Sequence, residues 1–277
     1  VIPFTKMHGI GNDFVLLDGL RHPVEERALP DLARRMCDRR FGIGGDGLIL
    51  LVAGSSRRFR MRMFNPDGTE SEMCGNGIRC FVRFLRQKGH TDEPVVSVET
   101  GAGVLTLEET PDGLVRVDMG PARLGRGEIP VLGDPEDRFV EQPVEACGST
   151  FVGTAVSMGN PHLVVFVEDV QAVPLEEWGP ALETHGLFPR KTNVHFVQVA
   201  ARDRLIQRTW ERGAGATLAC GTGACACTVA AALTGRADRS ATVRLPGGEL
   251  RIEWLEDGRV LMTGPAETVF EGNWLAD

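Results

Sequence analysis

Lysine is almost missing from this 277-residue chain: Lys6, Lys88 and Lys191 are the only three. None stands in a setting that suggests a Schiff base, so nothing points to a pyridoxal enzyme. No pair of cysteines has CxxC spacing, although seven cysteines are present. An odd count without such pairs fits reduced thiols in the cytoplasm better than a disulfide framework. No apolar run approaches 18 residues, which leaves no candidate for a spanning helix and argues against a membrane partner. The opening Val1-Ile2-Pro3-Phe4-Thr5-Lys6 lacks the charged-then-apolar shape of a signal peptide. Basic residues are outnumbered and the formal charge is −8, which excludes a general nucleic-acid binder. What remains is 42% hydrophobic and 25% charged, enough for one large domain or two of ordinary size.

The strongest internal signal is a repetition. Met73-Cys74-Gly75-Asn76-Gly77 returns 146 positions later as Ala219-Cys220-Gly221-Thr222-Gly223, each followed by an apolar run. Other landmarks repeat in step. Gly11-Asn12 matches Gly159-Asn160 at an offset of 148, Asp46 matches Asn193 at 147, and Phe64-Asn65 matches Trp210-Glu211 at 146. Gly120-Pro121-Ala122 matches Gly264-Pro265-Ala266 at 144. So small a drift implies two copies of one domain, 1–119 and 120–264, with the tail 265–277 expected to return to the first copy.

Within each copy the segments read mostly as short strands. Residues 14–18, 48–52, 58–65, 95–99, 104–108 and 114–119 alternate or run apolar between turn residues. Helices are expected over 29–40, with Leu32, Met36 and Cys37 inward, and over 175–185, where Pro180 interrupts. The run 222–233 carries no charge and reads as a buried helix, whereas 77–88 carries Arg79, Arg83 and Arg86 and should show an edge to solvent. The fold class is therefore α+β: two homologous domains, each a curled mixed or antiparallel sheet around a central helix. The active site is expected in the cleft between them.

A thiol at a helix N-terminus sits in positive potential, which favours its thiolate. Two such thiols in register suit a matched base and acid: one removes a proton from carbon and the other returns one to the opposite face. The N–H groups of Gly75, Asn76, Gly221 and Thr222 would meanwhile receive a carboxylate and stabilise charge on the adjacent carbon.

Further blocks carry a family resemblance: Phe4-Thr5-Lys6-Met7-His8-Gly9-Ile10-Gly11-Asn12-Asp13-Phe14, Phe64-Asn65-Pro66-Asp67-Gly68, Met73 to Cys80, Gly159-Asn160-Pro161-His162, and Glu211-Arg212-Gly213 leading to Ala219–Gly223. Together they resemble the diaminopimelate epimerase family. The resemblance implies a cofactor-independent enzyme that interconverts LL- and meso-2,6-diaminopimelate, a step towards lysine and cell-wall peptide; no metal is expected, because Cys225-Ala226-Cys227 lie in an apolar helix with no histidine near in sequence. It implies Cys74 and Cys220 as the thiol pair. It also implies that Asn12, Asn65, Asn160, Asn193, Glu211 and Arg212 hold the rest of the substrate. Arg212 suits a carboxylate, and Glu211 with the asparagine carbonyls suits an ammonium group. Gly47 stands where some members of the family place a glutamine. A homodimer is left open.

Plainer readings compete at single residues. Cys37, Cys80, Cys147, Cys225 and Cys227 are read as buried small hydrophobes. Gly42-Ile43-Gly44-Gly45 lacks the lysine and hydroxyl of a phosphate loop. His162 either orients Glu211 or a thiol, or caps a strand; His8 and His195 are assigned to packing or hydrogen bonds. A proline-racemase-like enzyme of the same two-thiol plan, or a thiol redox or metal-binding protein without turnover, stands as the alternative.

Overall fold

The structure, a computed structural model, describes residues 1–275; Ala276 and Asp277, the end of the expected tail, lie outside the described residues. The chain divides into two units, 1–118 with 264–277, and 119–263.

In the first unit β1 (Ile2–Gly9) and β2 (Asn12–Asp18) form a hairpin, and α1 (Leu29–Cys37) follows. Then come β3 (Gly47–Ala53), β4 (Phe59–Phe64), the short β5 (Glu70–Ser71), α2 (Gly75–Gln87), β6 (Val95–Thr100), β7 (Gly103–Glu109) and β8 (Val115–Pro121). β2 pairs with β3 in parallel, β3 with β4 antiparallel, β4 with β6 in parallel, and β6 with β7 and β7 with β8 antiparallel. The helix α1 buries Leu29, Leu32, Ala33 and Met36, the i, i+3, i+4, i+7 stripe of an amphipathic helix. It stops three residues before the expected end because the Asp38 carboxylate accepts the N–H groups of Arg40 and Phe41, both at 2.7 Å. The glycine loop that follows spends its N–H groups on the end of α1: Ile43 and Gly44 donate to Met36 O, and Gly45 to Cys37 O.

The second unit holds β9 (Gln142–Ala146), β10 (Ser149–Ser157), β11 (Pro161–Phe166), α3 (Leu175–Glu183), β12 (Asn193–Ala201), β13 (Arg204–Glu211) and β14 (Gly215–Thr217). α4 (Gly221–Leu233), β15 (Ser240–Leu245), β16 (Gly248–Trp254) and β17 (Arg259–Gly264) complete it. Its pairings reproduce the first unit: β10–β11 antiparallel, β11–β12 parallel, β12–β13 antiparallel, β13–β15 parallel, then β15–β16–β17 antiparallel. β9 flanks β10 antiparallel. The matching place beside β1 is taken by β18 (Glu267–Trp274), also antiparallel. Each sheet wraps its long helix. α4 touches β10, β11, β12, β13, β15 and β16, and only its Thr222 and its last turn escape burial. This is the sheet-around-helix α+β class that the sequence implies.

Three expectations need correction. Arg83 and Arg86 give α2 its expected edge to solvent, but Arg79 is fully buried; its guanidinium donates to Gly75 O, Asn76 Oδ1 and Pro265 O at 2.8–3.2 Å, which satisfies it inside the core. Cys147 is exposed, because Cys147-Gly148 (φ 51° and 70°) forms the two-residue turn of the β9–β10 hairpin. The register also shifts one landmark. Phe14 lies opposite Gly47 and His162 opposite Asn193, so Gly47, not Asp46, is the counterpart of Asn193.

Candidate functional site

Cys74 is the N-cap of α2 (φ −136°, ψ 125°) and Cys220 the N-cap of α4 (φ −125°, ψ 100°). In each the cysteine carbonyl takes the first intrahelical bond, from Ile78 N at 2.8 Å and from Ala224 N at 2.9 Å. Helix geometry therefore turns the N–H groups of Gly75 to Gly77 and of Gly221 to Gly223 towards the end at which the thiol stands.

Around Cys74 the side chains are held by an ionic network. The Cys74 Sγ–H donates to Asn12 Oδ1 at 3.5 Å, and Asn76 Nδ2 donates to the same oxygen at 3.2 Å. The other end of Asn12, Nδ2, donates to Asp46 Oδ2 at 2.6 Å. A carboxylate can only accept, which sets the orientation of the Asn12 amide. Arg39 Nη2 bridges Asp46 Oδ1 (2.7 Å) and Asp13 Oδ1 (2.6 Å), and Lys6 Nζ closes on Asp13 Oδ2 at 2.5 Å. Burial acts to raise the Asp13 pKa, but the hydrogen bonds and charges of Arg39 and Lys6 together bring it down to about 2. None of Lys6, Asp13, Arg39 and Asp46 was singled out as a site residue from sequence, though Lys6 and Asp13 stand inside the first family block. Asn65 follows β4 in a turn, and its Nδ2 bonds Thr69 Oγ1 at 3.0 Å. A Cβ at Gly47 would stand 3.2 Å from Met63 Cε and 3.4 Å from Phe14 Cδ1, so on this backbone that space is already filled.

Beside Cys220 runs a row of hydrogen-bonded neutral groups. Cys220 Sγ lies 3.8 Å from Thr222 Oγ1, which accepts from Asn160 Nδ2 at 3.4 Å. Asn160 Oδ1 faces His162 Nε2 at 2.9 Å, His162 Nδ1 faces His195 Nε2 at 2.8 Å, and His195 Nδ1 faces Thr209 Oγ1 at 3.0 Å. Gln207 Nε2 donates to Thr209 Oγ1 at 2.8 Å. Burial pushes the His195 pKa down to about 3. Burial, with the His195 and Arg212 charges, pushes His162 well below its usual range. Of the two readings of His162, the structure places it against Asn160 and His195. The ligand atoms of His162, His195 and Cys220 lie within 4.8 Å of one another, a donor set that suits zinc. The facing imidazole nitrogens already share one proton across 2.8 Å, however, so a metal ion would have to break that bond.

The acid–base pair at the end of β13, Glu211 and Arg212, is held from behind. Glu211 Oε1 accepts from Thr217 Oγ1 at 2.6 Å, and Arg212 N donates to Asn193 Oδ1 at 3.0 Å. Asn193 is buried, and its Nδ2 is spent on Pro161 O, so it supports the Arg212 backbone. Arg212 Nη1 reaches Arg190 O. Buried Glu183 takes Trp210 Nε1 at 2.8 Å and Gly213 N at 3.1 Å, which anchors this turn at both ends. Nothing in the sequence marked Glu183 out from other helical glutamates.

Each of two matching sheet-and-helix units thus carries a cysteine at the head of its central helix. The structure of a phenazine biosynthesis protein of the PhzF family from Bacillus anthracis matches with a TM-score of 0.73 at 17% identity, over 99% of both chains. That of a probable proline racemase from Agrobacterium radiobacter matches at 0.70 and 18%, over 100% of this chain and 94% of the other. At that identity the likeness is one of fold. The sequence narrows it: the model of the family described as Diaminopimelate epimerase matches residues 4–125 and 154–269. Diaminopimelate epimerase from Moorella thermoacetica is 54% identical over 279 residues, covering 99% of both chains. Diaminopimelate epimerase 1 from Nostoc sp. is 55% identical over 276 residues, 98% of this chain and 99% of that one. The chain belongs to the diaminopimelate epimerase family and is an epimerase.

Proposed function

We propose that this chain interconverts LL- and meso-2,6-diaminopimelate by transferring protons at one α-carbon, with Cys74 and Cys220 acting from opposite faces. One cysteine, as thiolate, takes the α-hydrogen as a proton and becomes a thiol. The other, as thiol, gives its proton to the opposite face and becomes a thiolate. No atom is gained or lost, and the two sulfurs exchange protonation states. The α-carboxylate is received by the outward N–H groups of Gly75, Asn76, Gly221 and Thr222, which stabilise charge as the carbon is deprotonated. Arg212, Glu211, Asn12, Asn65, Asn160 and Asn193 hold or frame the remaining carboxylate and ammonium groups. The reaction needs no cofactor and no metal, and the reduced thiols suit the cytoplasm.

One observation carries this reading: in a chain of this family, both cysteines occupy the N-cap of the equivalent helix in two copies of one unit. The test is incubation of the reduced protein with LL-diaminopimelate in D2O. Deuterium should enter at one α-carbon of the meso product. Cys74→Ala and Cys220→Ala should each lower turnover by at least about a thousandfold while keeping the wild-type circular dichroism. Near-normal turnover in either variant would sink the two-thiol scheme.

A further inference from the structure

At one buried place the difference between the two copies is systematic. In the first unit Ile49 pairs with Met63 and Leu51 with Met61 across β3 and β4, while Phe14 lies on the neighbouring β2. The same register in the second unit puts His195 opposite Thr209 and Val197 opposite Gln207, with His162 on β11 where Phe14 stands. Phe14, Ile49, Met63 and Met61 are thus answered by His162, His195, Thr209 and Gln207, and all eight are buried. Four apolar side chains fill this space in one copy, so packing alone does not demand polar ones. Four polar groups taken from water cost free energy unless each is bonded. They are bonded in a row that runs to Asn160.

The row has one consistent direction. Gln207 presents its Nε2 to both Thr209 Oγ1 (2.8 Å) and His195 Nδ1 (3.2 Å), while its Oε1 has no hydrogen-bond partner among the described residues. Turning that amide over would bury two unbonded donors in place of one acceptor, so the drawn orientation is the cheaper one. His195 Nδ1 is therefore an acceptor, and in a neutral ring the proton must sit on Nε2. That proton points at His162 Nδ1, which makes His162 a donor through Nε2 to Asn160 Oδ1. The Asn160 amide is left with Nδ2 towards Thr222 and the head of α4. Asn12 is held the other way round: Asp46 takes its Nδ2, and its Oδ1 faces Cys74.

We infer that His195, backed by Thr209 and Gln207, is a positioning residue that fixes the proton of His162 on Nε2 and so fixes Asn160 with its amide N–H groups towards the head of α4. The two half-sites then have opposite polarity. Asn12 offers an acceptor beside its thiol, and Asn160 offers a donor, the group that a substrate carboxylate needs. The kinetic side of this inference rests on the proposed epimerase reaction; the proton positions do not.

The test is nitrogen NMR of protein labelled with [15N]histidine, together with His195→Ile, which copies the first unit, and His195→Gln, whose amide can still donate to His162 and accept from Thr209. In the wild type both buried rings should carry their proton on Nε2. His195→Ile should shift His162 towards the Nδ1–H form and raise KM for LL-diaminopimelate about tenfold with a smaller change in kcat, while His195→Gln keeps both within about threefold. A wild-type His162 protonated on Nδ1 overturns the inference, whether or not any variant folds. So does a His195→Ile protein with unchanged His162 signals, or a His195→Gln protein as impaired as His195→Ile. If the protein turns over no diaminopimelate yet shows the expected ring protons, the reaction has been misread and the positioning role stands.

Discussion

Asp13 and the two buried imidazoles should leave separate marks on the acid limb of stability. His195 has its pKa lowered from 6.5 to about 3, and that of His162 is also well below 6.5. An unfolded chain therefore binds protons that the folded one refuses. Stability present above about pH 6.5 is lost as pH falls towards the folded values. Asp13 is lowered from 3.8 to about 2, so its share is present above pH 3.8 and disappears as pH falls through 2. Urea midpoints measured from pH 7 to 2 should fall in both ranges. His195→Ile should flatten the upper range and Asp13→Asn the lower. A wild-type midpoint that stays level from pH 6.5 to 4 would mean that the imidazoles are not neutral in the folded protein. Chelator treatment should leave turnover unchanged, since the His162–His195 bond occupies the donors that a metal would need; activity lost to chelator and restored by zinc would contradict this.

The heads of α2 and α4 need glycine for different reasons, and the difference can be measured. A Cβ at Gly223 would lie 2.3 Å from His195 Cε1, against a ring that its hydrogen bonds hold in place. At Gly77 the nearest atom is Ile49 Cδ1 at 3.0 Å, the far end of a flexible side chain. Gly223→Ala should therefore cost about 2 kcal/mol of stability and Gly77→Ala less than about 1, read from urea or thermal unfolding. Equal losses would show that His195 gives way as easily as Ile49. At this scale the sequence was readable wherever apolar residues had a period. Strands such as β3 and β6 and both central helices follow from pattern alone. β1 did not, because its buried stretch Phe4-Thr5-Lys6-Met7 includes a lysine that is tolerable inside only beside Asp13, which lies on another strand. The cysteines declared themselves by standing twice in one context. The groups that orient their neighbours did not: Asp46 acts on Asn12, Glu183 on Trp210 and Gly213, and Thr209 on His195, partners 14 to 34 residues off, and no local spacing records such pairs. The solvent edge of α2 was legible in Arg83 and Arg86, but not the burial of Arg79, one of whose acceptors, Pro265 O, is 186 residues away.

At the scale of the whole chain, β18 is the strand whose place in the sequence and place in the sheet differ most. It pairs with β1 from Ile2 to His8, with a shift between Lys6 and Met7. Ending the chain at Gly264 would bare the β1 edge, a row of unpaired backbone groups that invites association. Such a protein should aggregate on heating at lower temperature than the full chain, and the β1 amides that face β18 should lose their protection from hydrogen exchange, while those that face β2 keep theirs. Protection unchanged in the shortened chain would show that β18 is dispensable to the first sheet.

The same strand sets an order in time. A ribosome releases β1 first and β18 last, so the N-terminal half must wait for its edge while the whole stretch 119–263 is made. The stretch 119–263, by contrast, holds β9 to β17 but for the last residue of β17. During synthesis the second half is therefore expected to reach protease resistance before the first, the reverse of the usual N-to-C sequence. Nascent chains stalled just after residue 263 has cleared the exit tunnel would decide it. They should yield a resistant C-terminal fragment while residues 1–118 are still cut.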